Sequence, residues 1–216
     1  MTKIVIFDLD DTLYKEIDYL KSAYQEIALK LEEYGIRDAY SQMIEWYDDR
    51  KNVFDMINLT YGLDISKQDL LKIYRNHKPN IQLSYGAEEL FNVILRNGDK
   101  IGLITDGRTV TQRNKIDALS ISDYIQSDNI IISEEFGSEK PDLRNYQYFE
   151  ELYSGFEFMY IADNPKKDFI SANKLGWQTI GLLNDGRNIH PQELLVEREY
   201  LPHQWVKSLD EIINLL

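Results

Sequence analysis

The stretch Lys3–Leu13 constrains the fold of this chain more than any other segment. Its four consecutive apolar residues, Ile4-Val5-Ile6-Phe7, are typical of a short strand that is buried on both faces of a parallel sheet. Asp8 ends this run, and Asp10 follows two residues later, so in extended backbone both carboxylates lie on the same side. Burying two like charges is costly unless a cation or hydrogen-bond donors compensate, and the pattern therefore points first to a divalent metal. The alternative is that the aspartates only cap a turn and the next helix.

Beyond residue 84, segments with strand character alternate with segments that have helical spacing. Strands are predicted over 101–104, 129–133, 158–161 and 179–183, and helices over 87–96, 109–119, 143–153, 168–175 and 209–216. This alternation predicts an α/β fold with a doubly wound parallel sheet. In such sheets the reacting groups collect at the carboxyl ends of the strands.

The segment between the first strand and this alternating region has helical spacing and no strand pattern. Four helices are expected, the first ending at Gly35, the third at Gly62 and the fourth beginning after Ser66. We expect residues 16–83 to form a helical-bundle cap inserted after the first strand, and residues 1–15 and 84–216 to form the catalytic core. The alternative, that these helices are ordinary crossovers packed on the sheet, is weaker because one crossover rarely needs four helices.

Charge and composition exclude several classes of function. The net charge of −13 argues against general binding to nucleic acid or anionic lipid, because both require a basic surface. The sequence has no cysteine, which excludes disulfides and thiolate zinc sites. No apolar stretch reaches the length of a membrane span, and the N-terminal run is too short for a signal peptide. We expect a cytoplasmic protein without nucleic-acid or membrane partners, and the sequence leaves open whether it is a monomer or a homodimer.

Polar side chains follow four of the predicted strands and are expected to meet at one edge of the sheet. They are Asp8 and Asp10, then Thr105, then Lys140, and finally Asp163 with Asp168. Aspartates without cysteine or histidine ligands favour a hard cation, Mg²⁺ before Zn²⁺. A metal, a lysine and a hydroxyl group together neutralise the charge of phosphoryl transfer. Such a site would let an acidic protein bind an anionic substrate.

These segments resemble the haloacid dehalogenase-like (HAD) hydrolase superfamily, in its phosphatase branch. Residues 7–13, 104–107, 139–142 and 162–168 are similar to its first, second, third and fourth motifs, in the same order, and the helical insertion resembles its C1-type cap. Two positions depart from the family pattern. Ala162 stands where many members have glycine, and Asp106 replaces the common asparagine, which adds a carboxylate near the phosphate-binding loop.

The resemblance implies a Mg²⁺-dependent phosphatase with a HAD-like, Rossmannoid core that acts on a small phosphorylated metabolite, a sugar phosphate or a nucleotide. Asp8 would be the nucleophile and form an aspartyl-phosphate, and Asp10 would be the general acid and then the general base. An aspartate acting as an acid needs a raised pKa, which we expect a neighbouring carboxylate to provide.

The resemblance also implies roles for the remaining residues of the four motifs. Mg²⁺ would be held by the carboxylate of Asp8, the backbone carbonyl of Asp10 and Asp163. Thr105 and Lys140 would be catalytic, and phosphoryl oxygens would be bound by Thr105, Asp106, Gly107 and Lys140. Asn164 and Asp168 would lie just outside the ligands, Asp168 acting through a metal-bound water or by orienting Lys140.

Other functions stay open at this point. Phosphomutases of the superfamily keep the second aspartate and transfer the phosphoryl group to a second sugar. Haloacid dehalogenases use an aspartate nucleophile but lack the second aspartate and need no metal, so Asp10 and Asp163 argue against them. A non-catalytic phosphoacceptor or signalling module also combines an acidic pocket with threonine and lysine, but its phosphoacceptor follows a later strand. A catalytically silent scaffold is the remaining alternative.

Overall fold

The computed structural model describes residues 2–216, which contain a six-stranded parallel sheet. The strands are β1 Lys3–Phe7, β2 Lys100–Thr105, β3 Ile130–Ile132, β4 Glu157–Ala162, β5 Gln178–Leu182 and β6 Gln204–Val206. They lie in the order β3-β2-β1-β4-β5-β6, and each neighbouring pair is parallel. This is the order of a doubly wound sheet. The predicted α/β fold class is confirmed.

Helices lie between these strands along the chain, five of them between β1 and β2. They are α1 Glu16–Glu32, α2 Ala39–Asp48, α3 Val53–Tyr61, α4 Lys67–Asn76, α5 Ala87–Arg96, α6 Thr109–Ala118, α7 Ser133–Phe136, α8 Arg144–Leu152 and α9 Phe169–Lys174. The helix predicted over 209–216 is present as a 3₁₀-helix, Leu209–Leu215. The short elements α7 and β6 were not predicted.

Strand β1 lies in the middle of the sheet, which explains its uninterrupted apolar run. Ile4, Val5, Ile6 and Phe7 have no exposed area, because β2 and β4 flank the strand and the sheet faces are covered. The ring of Phe7 packs edge-on against Phe91 of α5, with 5.3 Å between the ring centroids.

The strand order reverses direction between β1 and β4, and this is the place where open α/β sheets form their ligand crevice. In the register of this pair, Phe7 lies opposite Ile161. The backbone N–H of Asp8 continues the ladder by donating to the carbonyl of Ile161 at 2.9 Å. The residues that follow β1 and β4 are therefore held side by side by backbone hydrogen bonds.

The chain divides into two compact units. One comprises the chain up to Glu16 together with Gln82–Leu216, and the other is Ile17–Ile81. The second unit consists of α1 from Ile17 onward, α2, α3 and α4, and its helices begin and end close to the predicted positions. None of the helices in residues 2–216 has both the length and the apolar character needed to cross a bilayer.

The interior of the second unit is rich in aromatic residues. Tyr19 packs edge-on against Tyr74 at 5.4 Å between ring centroids, and Trp46 packs against Tyr61 at 6.0 Å. Ser66 caps α4 by accepting from the N–H of Asp69 at 3.1 Å, and it donates to the Asp69 carboxylate at 2.7 Å. The role of this unit as a cap stays a prediction.

Candidate active site

A buried ammonium group joins two buried carboxylates at the carboxyl edge of the sheet. Lys140 Nζ lies 2.6 Å from Asp8 Oδ1 and 2.7 Å from Asp168 Oδ1, and the lysine side chain has no exposed area. Burial opposes the charge of Lys140, but the carboxylates of Asp168 and Asp8 raise its pKa well above the usual value, so it stays protonated. Two roles were considered for Asp168, action through a metal-bound water and orientation of Lys140. The direct contact between Asp168 and Lys140 corresponds to the second role.

Asp163 adds a third buried carboxylate to this group. Carboxylate oxygens of Asp8, Asp163 and Asp168 all lie within 4.8 Å of one another. Burial and the neighbouring charges of Asp168 and Asp8 raise the pKa of Asp163 to about 8. Burial also raises the pKa of Asp8 to about 6, although Lys140 opposes the shift.

This donor set fits a hard divalent cation. Lys140 supplies one positive charge to three buried carboxylates, so negative charge remains uncompensated. Carboxylate oxygens are the ligands that Mg²⁺ prefers. Since Asp168 is occupied with Lys140 and with the N–H of Asn164 at 2.9 Å, Asp8 and Asp163 are the side chains best able to hold the ion.

Asp163 is held in place by the segment that follows β5. Asn188 Nδ2 donates to Asp163 Oδ2 at 2.9 Å, and Asn188 Oδ1 accepts from Lys15 Nζ at 2.9 Å. Gln192 Nε2 donates to the backbone carbonyl of Asp163 at 2.6 Å. These residues belong to no recognisable motif, and sequence reasoning did not find them.

The carboxylate of Asp10 is surrounded by donors. Lys115 Nζ lies 2.6 Å from Oδ1, Gln112 Nε2 donates to Oδ2 at 2.9 Å, and the Tyr14 hydroxyl donates to Oδ1 as well. Burial disfavours the anion, but the charge of Lys115 and the hydrogen bonds from Lys115, Tyr14 and Gln112 together outweigh burial, so the pKa of Asp10 lies below its usual value. The predicted rise in the pKa of Asp10 is therefore wrong, because its charged neighbour is a lysine on α6.

Gln112 and Lys115 were also missed in the sequence. They are three positions apart on α6 and so share one face of that helix. Gln112 Nε2 donates in addition to Thr105 Oγ1 at 2.5 Å, which links the hydroxyl at the end of β2 to Asp10. One sequence feature could have pointed to Gln112 and Lys115: both polar residues lie on the helix that directly follows the Thr105-Asp106-Gly107 segment.

The segment after β2 makes contacts that define the position of Asp106. Asp106 Oδ1 accepts from the backbone N–H of Lys140 at 3.0 Å, and Oδ2 lies 3.2 Å from Lys167 Nζ. The N–H of Gly107 donates to Ser133 Oγ at 3.0 Å. Asp106 thus connects the loops that follow β3 and β4, and the structure brings its carboxylate next to two lysines.

These groups surround a cavity of about 210 Å³. Its walls are formed by acidic residues together with an asparagine, a lysine and a histidine: Asp8, Asp10, Asp11, Glu16, Asp106, Asp163, Asn164, Lys167 and His190. Carboxylates and a lysine that converge on a small cavity are suited to binding a metal and a compact anionic group.

Comparison with known proteins agrees with this arrangement. Residues 5–182 match the family model of the haloacid dehalogenase-like hydrolases. The glyceraldehyde 3-phosphate phosphatase of Methanocaldococcus jannaschii is 27% identical over 238 residues, which cover 100% of this chain and 97% of that protein. The pyrimidine 5'-nucleotidase YjjG of Escherichia coli is 25% identical over 229 residues, which cover 98% of this chain and 96% of that protein.

Solved structures share the same fold. The HAD-hydrolase YfnB from Bacillus subtilis, in a crystal structure bound to magnesium, superposes with a TM-score of 0.71 at 20% identity. The superposition covers 100% of this chain and 98% of YfnB. The likeness therefore extends over both the sheet and the helical insertion.

Proposed function

Because this chain belongs to the haloacid dehalogenase-like hydrolase family and is a phosphoric monoester hydrolase, we propose that it is a Mg²⁺-dependent phosphatase that forms an aspartyl-phosphate at Asp8. One observation carries the proposal. Asp8, Lys140, Asp163 and Asp168 form a buried group at the switch point of the sheet, with one ammonium for three carboxylates. Such a group combines a nucleophile with binding positions for a cation.

In the first step, a carboxylate oxygen of Asp8 attacks phosphorus and the bond between phosphorus and the ester oxygen breaks. The leaving oxygen takes a proton from the carboxyl group of Asp10. The donors around Asp10 favour its anion in the free protein, whereas an arriving phosphoryl dianion favours the protonated form. Lys140 fixes the attacking carboxylate through its contacts with Asp8 and Asp168.

In the second step, water attacks the phosphorus of the aspartyl-phosphate and gives a proton to the carboxylate of Asp10. The bond from phosphorus to Asp8 breaks, which releases inorganic phosphate and restores both aspartates. Thr105 and the backbone after it would bind phosphoryl oxygens, because the Thr105 hydroxyl accepts from Gln112 and can still donate its own proton to the substrate. Mg²⁺ held by Asp8, the Asp10 carbonyl and Asp163 would neutralise phosphoryl charge.

The substrate class proposed is a sugar phosphate or a nucleotide. The names of the relatives support both, since one is a glyceraldehyde 3-phosphate phosphatase and another a pyrimidine 5'-nucleotidase. The small cavity lined by Asp8 and Asp163 is of a size suited to the phosphoryl group itself. We further propose that Ile17–Ile81 acts as a cap that selects the substrate, and that the protein works in the cytoplasm.

The test is phosphate release by the purified protein after treatment with a chelator. We expect hydrolysis of p-nitrophenyl phosphate to return when Mg²⁺ is added, and faster release from members of a panel that includes glyceraldehyde 3-phosphate and pyrimidine 5'-monophosphates. Phosphoryl transfer to a sugar without phosphate release would identify a mutase instead. Halide release from a 2-haloacid without metal would identify a dehalogenase, and absence of any Mg²⁺-dependent turnover would overturn the proposal.

A further inference from the structure

The proposed site has to bind an anion in a cavity whose walls are mostly acidic. Lys140 is already engaged, because its ammonium contacts Asp8 and Asp168 at 2.6 and 2.7 Å and has no exposed area. Lys115 is likewise engaged with Asp10 at 2.6 Å. Besides the Mg²⁺ proposed above, a phosphoryl dianion that enters the cavity therefore needs a positively charged side chain that faces it.

Lys167 has the position and the exposure that this role requires. It lines the same cavity as Asp8, Asp10 and Asp163, and 36% of its side chain is exposed. Its charge also acts on Asp8, since Lys167 helps to lower the pKa of that carboxyl group against the effect of burial. Of the described residues that line the cavity, Lys167 and His190 are the two with basic side chains.

The hydrogen bonding of Lys167 leaves capacity for a ligand. An ammonium group has three donors, and the contact with Asp106 Oδ2, at 3.2 Å, uses one of them. The same carboxylate accepts from the backbone of Lys140 through its other oxygen at 3.0 Å. Asp106 therefore holds Lys167 beside the loop that carries Lys140. Asp106 is the residue that stands where the family commonly has asparagine.

On the basis of the proposed phosphatase function, we propose that Lys167 is a substrate-binding residue whose ammonium donates to a non-bridging oxygen of the phosphoryl group. Asp106 is the positioning residue that keeps the ammonium at the cavity. This arrangement gives Asp106 a function that an asparagine would fulfil less well, because a carboxylate binds the ammonium of lysine more strongly than an amide oxygen does.

The preceding residue, Lys166, is a matched control. It is also a lysine, but its ammonium pairs with Glu193 at 2.8 Å and its side chain is 58% exposed, outside the set of residues that line the cavity. A surface pair of this kind contributes little to stability. Removal of either lysine changes the net charge of the protein by the same amount, so only position distinguishes the two variants.

The experiment measures binding of inorganic phosphate to the Mg²⁺-loaded protein by calorimetry, alongside kcat and KM for p-nitrophenyl phosphate. Lys167→Met is expected to weaken phosphate binding by about 10- to 100-fold, which is the usual effect of losing a hydrogen bond to a charged group. Lys167→Arg is expected to retain most of the affinity, and Lys166→Met is expected to stay within about twofold of wild type. Thermal melting of each variant verifies that it is folded.

The outcomes separate this inference from the function on which it rests. If the wild type turns over substrate and Lys167→Met binds phosphate as tightly as the wild type, the role of Lys167 is overturned and the phosphatase proposal stands. Equal weakening by Lys166→Met would also overturn it, because general surface charge would then explain the effect. A wild type that neither binds nor releases phosphate overturns both proposals.

Discussion

The ammonium of Lys140 lies 2.6 Å from Asp8 Oδ1, although the two residues are 132 positions apart in the sequence. Asp8 follows β1, and Lys140 lies on the loop beyond β3, two strands away in the sheet. Asp106, which follows the intervening strand β2, accepts from the backbone of Lys140 at 3.0 Å and ties the loop to that strand. The contact between the proposed nucleophile and its lysine thus depends on the parallel arrangement of β1, β2 and β3, which places their carboxyl ends at one edge of the sheet.

Replacement of the proposed nucleophile is the first prediction. Asp8→Asn keeps the size of the side chain and removes the attacking oxygen anion, so we expect kcat to fall by about 10³-fold or more. Phosphate release measures the loss, and circular dichroism shows whether the fold is kept. Asp117→Asn, an exposed aspartate on α6, is the control and should leave kcat unchanged. Activity of Asp8→Asn near the wild-type level would refute the assignment.

Loss of the buried lysine should reduce stability as well as activity. Lys140→Met leaves Asp8 and Asp168 buried without their shared cation, and breaking such a pair costs about 3–5 kcal/mol. For a chain of this size we expect Tm in chelator to fall by roughly 10 °C. The double variant with Asp168→Asn should recover part of the loss because one buried charge is removed. An unchanged Tm for Lys140→Met would show that the contacts of Lys140 with Asp8 and Asp168 do not stabilise the protein.

Metal removal should make stability depend on pH through Asp163. The pKa of this group is raised from 3.8 to about 8 in the folded protein, so it binds its proton more tightly when folded. The stability that the protonated carboxyl group of Asp163 contributes is complete at acid pH and is lost as the pH rises through about 8. Without metal, Tm should therefore fall between pH 4 and pH 8, and Mg²⁺ should restore it at pH 8.

The variant Asp163→Asn checks the origin of that dependence. Asparagine keeps an oxygen that can accept from Asn188 but carries no charge to titrate. We expect the variant to be more stable than the wild type in chelator at pH 8, by about 5 °C, and to gain little from Mg²⁺. A wild-type response to Mg²⁺ in this variant would mean that Asp163 does not hold the ion.

The ion pair between Asp10 and Lys115 of α6 should set the alkaline limit of activity. Lys115 holds the pKa of Asp10 below its usual value, so Lys115→Met should raise that pKa. If Asp10 donates its proton in the first step, the alkaline limb of kcat/KM moves to higher pH by about one unit. The pH profile for p-nitrophenyl phosphate measures this shift. Movement of the limb to lower pH would argue against Asp10 as the acid.

Most of the fold was predictable because buried parallel strands have a strong signal. Ile101-Gly102-Leu103-Ile104 lies inside the observed β2, and the predicted strands after it differ from the observed ones by one residue at each end. Strand β6 was missed because Gln204-Trp205-Val206 is a three-residue edge strand with a polar first residue. The tail from Leu209 has helical spacing, and spacing alone does not distinguish a 3₁₀-helix from an α-helix at this length.

The site was predictable only where it follows strands. Parallel topology brings Asp8, Lys140 and Asp163 to one edge, and their sequence positions alone led to that expectation. Lys115 and Asn188 reach the site from a helix face and from a loop, and no strand end marks them. The pKa of Asp10 was predicted in the wrong direction for the same reason, since Lys115 could not be placed beside it.

The hydrogen bond from the N–H of Asp8 to the carbonyl of Ile161 extends the ladder between β1 and β4 into the site. Main-chain groups, an N–H that every residue type except proline has and a carbonyl that every residue has, thereby fix the backbone position of the proposed nucleophile. Substitutions in β1 and β4 that preserve the pairing of the two strands should therefore leave the backbone of Asp8 in place, whichever side chains line the cavity.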